Sequence, residues 1–207
     1  MRRMIMMFNL LVLALTSSVT AEQERDLWYA ISIAGARSGW LHETRSKVPE
    51  GWQTEQESKI EIRRGAQSVS MQVTSRFVEG KDGQPVRAES IQKLAGTAIT
   101  TTWTFLGNGV IKEVSTQLGR TNERDIPPSN QEWYSPVAAE RFFLGRAASG
   151  EKTIRWSTVL PDQGPEPVEL TRTLVDETTF NRGGRAIPAT RWKSTTSAMP
   201  GSVGEDL

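Results

Sequence analysis

The chain reads as an all-β protein: a strongly curved antiparallel sheet, or half-open barrel, with one helix packed against it near residues 135–147. Three observations predict this. Apolar residues recur at every second position through most of the chain, glycine-rich turns punctuate those runs, and a single segment breaks the rhythm with helical spacing. Successive side chains on a strand point to opposite faces, so period-two patterning marks a sheet with one buried and one wet face.

The N-terminus is set apart from that pattern. Arg2 and Arg3 give a positive start, residues 4–15 are apolar apart from Asn9, and Val19-Thr20-Ala21 supplies the small residues before a signal-peptidase cleavage site. The apolar run falls short of the ~20 residues a membrane-spanning helix needs. The expectation is a cleaved signal peptide over residues 1–21 and one antiparallel β domain over residues 22–207. The protein is then exported, periplasmic or extracellular, with no transmembrane segment left after cleavage.

The chain has no cysteine. That excludes a lipid anchor on an N-terminal cysteine, disulfides, thiol nucleophiles and thiolate metal centres. Lys and Arg number 25 against 24 Asp and Glu, and removing Arg2 and Arg3 leaves 23 against 24, a net charge of −1. A nearly neutral domain of mixed charge has no electrostatic footprint for nucleic acid or for an anionic membrane surface.

Residues 28–44 form the first predicted hairpin, turning at Gly35-Ala36 and holding two of the seven tryptophans and the only histidine. From Trp52 to Gln117 the alternation predicts a contiguous meander. Val69, Met71, Val73 and Phe77 share one face, as do Ile99, Thr101, Trp103 and Phe105. The threonines between them suit a pleated surface. Turns are expected at Pro49-Glu50-Gly51, Gly65, Gly80-Lys81-Asp82-Gly83 and Gly107-Asn108-Gly109, where Gly and Asn supply positive φ.

Residues 135–146 carry the helical pattern. Ser135 is placed to cap it, Pro136 suits the first position, and Gly145 or Gly150 can end it. Val137, Phe142, Phe143 and Leu144 would face the concave side of the sheet. Strands resume around Ile154, Trp156 and Leu160, then around Val168, Leu170 and Leu174. A hairpin at Arg182-Gly183-Gly184 leads into a strand over residues 185–197. Pro200-Gly201-Ser202-Val203-Gly204 reads as a turn, and Glu205-Asp206-Leu207 stops where another strand would begin, so the pattern is expected to continue and the chain to be truncated there.

Catalytic constellations are sparse. Glu43 follows His42 on a strand and so points to the opposite face, which removes it as a direct partner for a histidine base. One His without Cys argues against zinc, and no Gly-x-Ser-x-Gly is present. Glycine-rich turns precede strands rather than helices, which removes nucleotide binding. Glu55, Glu57 and Glu61 share a strand face and Glu169, Asp176 and Glu177 lie later. All read as solvated, leaving a carboxylate-based hydrolase as a remote alternative. No catalytic residue, cofactor or metal is expected. The aromatics are more informative. Trp103 and Trp156 read as core, whereas Trp52 and Trp133 lie near turns and are candidate exposed contacts. Met71, Trp103, Phe105, Phe142 and Phe143 are candidates to line an apolar cavity.

Trp28-Tyr29, Gly35, Gly39 and Trp40 follow a hairpin pattern of aromatic-Tyr, Gly, Gly-aromatic, and residues 134–144 lead through Gly150 into an alternating strand. On these residues the chain resembles the N-terminal all-β domain of bacterial exported transglutaminase-like proteins. It is also similar to clam-like periplasmic β proteins of unknown function. The resemblance implies a non-catalytic accessory or recognition module, since the Cys, His and Asp of the enzyme part would belong to a separate downstream domain. The implied partner is that domain or another exported protein. The alternative is a periplasmic carrier holding an apolar, lipid-like ligand in the curved-sheet cavity.

Overall fold

The computed structural model describes residues 23–33, 36–64, 67–94, 96–198 and 204–206. The expected signal peptide, Gly35, Gly65, residues 200–203 and Leu207 lie outside the described residues. Eight strands follow one another as β1 (Arg25–Ile33), β2 (Ala36–Val48), β3 (Gly51–Arg64), β4 (Gln67–Gly80), β5 (Pro85–Leu94), β6 (Thr97–Phe105), β7 (Ile111–Gln117) and β8 (Arg120–Ile126). Helix α1 (Pro136–Ala148) comes next, then β9 (Thr153–Leu160), β10 (Gly164–Arg182), β11 (Arg185–Thr196) and β12 (Gly204–Asp206).

Strands β1 to β8 form one antiparallel sheet in strict sequence order, with β1 and β8 as its free edges. It is barrel-like but does not close. Strands β9 to β12 form a second sheet in the order β12-β11-β10-β9. The expected single sheet is therefore two. The irregular stretch around Pro127-Pro128 and the helix interrupt strand pairing after β8, because proline lacks the N–H a ladder requires. The expected meander from Trp52 to Gln117 is present as β3 to β7, and it extends by two strands, β1 and β2, at one end and by β8 at the other.

Turn chemistry accounts for the short connections. Gly80 N–H donates to Gln84 O and Gly83, at φ +84°, donates back to Gly80 O. Leu106 and Val110 close the turn between β6 and β7 around Gly109, at φ +81°. Gly183 and Gly184 are both left-handed, the conformation a two-residue hairpin turn demands.

The core lies between the sheets. Phe77, Ala88, Trp103 and Ile111 of the first sheet meet Val159 of β9. On the other side of the seam, Ala139 and Phe143 of α1 pack on Ile154, Trp156 and Trp192. Trp52 of β3 meets Val137 of α1. The helix thus sits over the seam rather than across one concave face.

Candidate functional site

The inner face of the first sheet, α1 and the second sheet enclose a half-open cavity of about 940 Å³. Its apolar walls include Leu27, Phe77, Phe143, Trp156, Leu170 and Ile187. Its volume falls in the range of small-molecule sites, roughly 300–1,000 Å³, and apolar walls with a few fixed polar groups are usual there.

The polar groups come from a charged row on β1 and β2. Arg25 pairs with Arg45 and Leu27 with Glu43 in the register, so these side chains alternate onto the inward face. Arg25 bridges two carboxylates: Nη2 pairs with Glu43 and Nη1 donates to Glu140 Oε1 of α1 at 2.8 Å. Arg45, almost fully buried, also binds Glu140. Gln56 Nε2 donates to the second oxygen of Glu43 at 2.7 Å. Across the cavity, the Arg172 guanidinium of β10 lies over the Phe143 and Trp156 rings, 4.6 and 5.8 Å from their centroids. Thr54 Oγ1 and Trp156 Nε1 are buried beside the cavity and have no hydrogen-bond partner among the described residues.

The helix that roofs the cavity is fixed by one buried residue. Ser135 does not cap α1 with its own side chain. Glu79 of β4 does: its carboxylate accepts from the N–H groups of Val137 and Ala138 at 2.9 and 3.3 Å, and from Ser135 Oγ at 2.9 Å. A carboxylate at a helix N-terminus satisfies orphan donors and complements the dipole. Burial pushes the Glu79 carboxyl above its usual range, and those hydrogen bonds and Arg45 only partly offset it. At the other end, Gly150 at φ +86° closes the helix.

The residues expected to line a cavity do not gather in one. Trp103 is buried, and its Nε1 donates to Glu113 at 3.0 Å. It packs with Phe105 in the first core cluster. Phe142 stacks on Tyr134. Met71 is on the inward face but 37% exposed, beyond the enclosed part. Phe143 alone of the five borders the cavity. Trp52 and Trp133 are not exposed contacts. Trp52 is 7% exposed beneath Val137, and Trp133 is half-buried against Phe77 and Phe105. Proximity to a turn misled here, because both turns are covered by α1 or its approach.

The exposed indole is Trp28, at 64%. It stacks on His42, whose Nε2 meets Asp26 Oδ1 at 2.8 Å, and it touches Trp40. This cluster occupies the outward face of β1 and β2, opposite the cavity row. Glu55 and Glu57 also face outward, to Arg76 and Gln72, and Glu61 to Lys59. No group of three or more His, Asp or Glu able to hold a metal occurs among the described residues.

No family model matches the chain, and no curated protein matches it. Among solved structures it is similar to a β-barrel-like protein of a domain of unknown function, DUF1849, from Brucella abortus. The TM-score is 0.55 at 13% sequence identity, covering 86% of this chain and 80% of that one. At that identity the likeness establishes the fold alone: all-β and barrel-like. It supports that part of the expected resemblance and does not bear on a transglutaminase-like partner domain.

Proposed function

We propose that this chain is an exported, non-catalytic binding module that holds an apolar, lipid-like guest between its two sheets. The observation that carries the reading is the half-open cavity of about 940 Å³, where a module serving only as scaffold would pack to normal core density. A hydrolase is less well supported. Glu43 and Glu140 share the cavity, but each is tied to a guanidinium, and neither is offered as a proton donor. The accessory-module reading calls for an apolar docking patch at the C-terminal strands. Exposed apolar side chains occur on those strands, at Val175 and Ile187, and also at the far end of the first sheet, at Ile62, Val69, Met71 and Leu94, so they do not single out the C-terminal strands.

The test is binding of the neutral dye N-phenyl-1-naphthylamine, followed by its fluorescence. The wild type should bind it with a single saturable site. Leu27→Glu puts a charge in the apolar wall at a position 37% exposed, where the fold can accept it. That variant should bind at least about tenfold more weakly with an unchanged melting temperature, a loss of ~1.4 kcal/mol. A wild type that leaves the dye dark would overturn the reading.

A further inference from the structure

The cavity has a closed side and an open side. Thr54 and Trp156, 5% and 9% exposed, mark the closed side, whereas Leu27 and Ile187, 37% and 39% exposed, mark the open one. The open side is apolar, with Pro188 and Ala189 beside Ile187. The closed side holds polar groups that the fold leaves unmet. Thr54 Oγ1 and Trp156 Nε1 have no hydrogen-bond partner among the described residues, and neither does Arg25 Nε. All three can donate, and the two nitrogens can only donate. A buried donor without an acceptor is costly, and that cost ends when a guest supplies the acceptor.

Register and packing hold these groups in place. Thr54 stands between Arg45 and Phe77 on the inward face, and Arg45 is turned to Glu140. The Trp156 ring lies against Phe143, 5.9 Å between centroids, with the Arg172 guanidinium over its face.

Among the described residues, the charges on this side balance. Arg25 bridges Glu43 and Glu140, and Arg45 binds Glu140 and lies in the field of Glu79. Counting Arg172, three guanidinium groups are matched by the carboxyl groups of Glu43, Glu79 and Glu140. Arg76 turns outward to Glu55 and Glu89. A guest ion of either sign would lose its hydration and find every opposite charge already engaged. A neutral oxygen loses far less on leaving water, and it answers the unmet donors.

We propose that the guest is a neutral amphiphile whose polar end is a hydrogen-bond acceptor, an ester or ketone on an acyl or alkyl chain. The carbonyl end lies at the closed side, where Trp156 Nε1 and Thr54 Oγ1 donate to it. The chain leaves past Leu27 and Ile187. This rests on the cavity being a binding site, and the test separates the two claims.

The dye is displaced from the purified protein by four compounds of similar size: hexyl phenyl ketone, hexylbenzene, phenylheptanoate and phenylhexylammonium. The ketone should displace it at least as well as hexylbenzene, although water solvates the ketone better. Both ions should be weaker than the ketone by about tenfold or more. Thr54→Val keeps the side chain's shape and removes the hydroxyl. It should weaken the ketone about threefold or more and leave hexylbenzene unchanged. The melting temperature of the unliganded variant should not fall, because an unmet group has been removed. Trp156→Phe should likewise weaken the ketone and spare hexylbenzene. Weaker displacement by the ketone than by hexylbenzene, or a ketone unaffected by either substitution, would overturn the acceptor end and leave the cavity reading standing. An ion that displaces as well as the ketone would overturn the neutral class. Equal loss of ketone and hexylbenzene in Trp156→Phe would show that the indole only packs, and would overturn its role. Absence of dye binding would remove the cavity reading itself.

Discussion

At the scale of single residues, two buried glutamates show how one side chain can serve opposite energetic ends. Glu79 ties β4 to the first turn of α1 across 58 residues of sequence. No local signal could reveal it, because Ser135-Pro136 already reads as a complete helix start and Glu79 reads as one more acid before a turn. Its carboxyl is raised by burial, so the folded state binds its proton more tightly than the unfolded chain does. Its ionised form costs stability, and that cost shrinks as pH falls through its folded value. Glu113 behaves the other way. Burial would raise it, but hydrogen bonds from Arg124 and Trp103 outweigh burial and hold it below the usual carboxylate range. Its contribution is present above the unfolded value and is lost as pH falls through the folded one. Glu113→Gln should therefore lower the unfolding free energy by about 1 kcal/mol near neutrality. In denaturant titrations the difference from wild type should close as the pH drops below the ordinary carboxylate range.

At the scale of elements, the helix and most hairpins were legible and β8 was not. Helix α1 announces itself through Pro136 and the Val137–Phe143 spacing in a chain otherwise of period two. The sequence of β8, Arg-Thr-Asn-Glu-Arg-Asp-Ile, has no apolar alternation, since six of its seven residues are exposed. A charged, fully wet edge strand discourages pairing with another chain, and the same property hides it from pattern reading. The turn into it is also unusual. Leu118, 80% exposed, holds φ +51° beside Gly119 at +75°. A two-residue turn with both residues left-handed normally takes Asn-Gly, and leucine there bears about 1 kcal/mol of steric penalty. Leu118→Asn should raise the unfolding free energy by about 0.5–1 kcal/mol, measured by thermal or urea denaturation, without altering dye binding.

At the scale of the whole molecule, the alternation told which residues share a face but not which faces meet. Val69, Met71, Val73 and Phe77 do share the inward face, yet only Phe77 is buried, because the second sheet and α1 cover one end of that face alone. The cavity's charged row was missed for a related reason. Arg25, Glu43 and Arg45 are charged residues of a hairpin at the sheet's edge, and nothing local in the sequence says that Glu140 will arrive above them. The one available sign was their parity with Leu41, which places charges and an apolar residue on the same side of β2. The sequence-ordered sheet also bears on how the molecule assembles. Every pair from β1 to β8 joins sequence neighbours, so each hairpin closes a short loop at small entropic cost. The ion pairs of Arg25 and Arg45 with Glu140 instead span 115 and 95 residues. The meander can zip up locally, while the clasp over the cavity must wait for α1 to reach back to the first hairpin. In stopped-flow refolding, far-ultraviolet circular dichroism should thus reach its strand value before tryptophan fluorescence from Trp156 and Trp192 settles, and the guest's compartment should be the last part of the native state to appear.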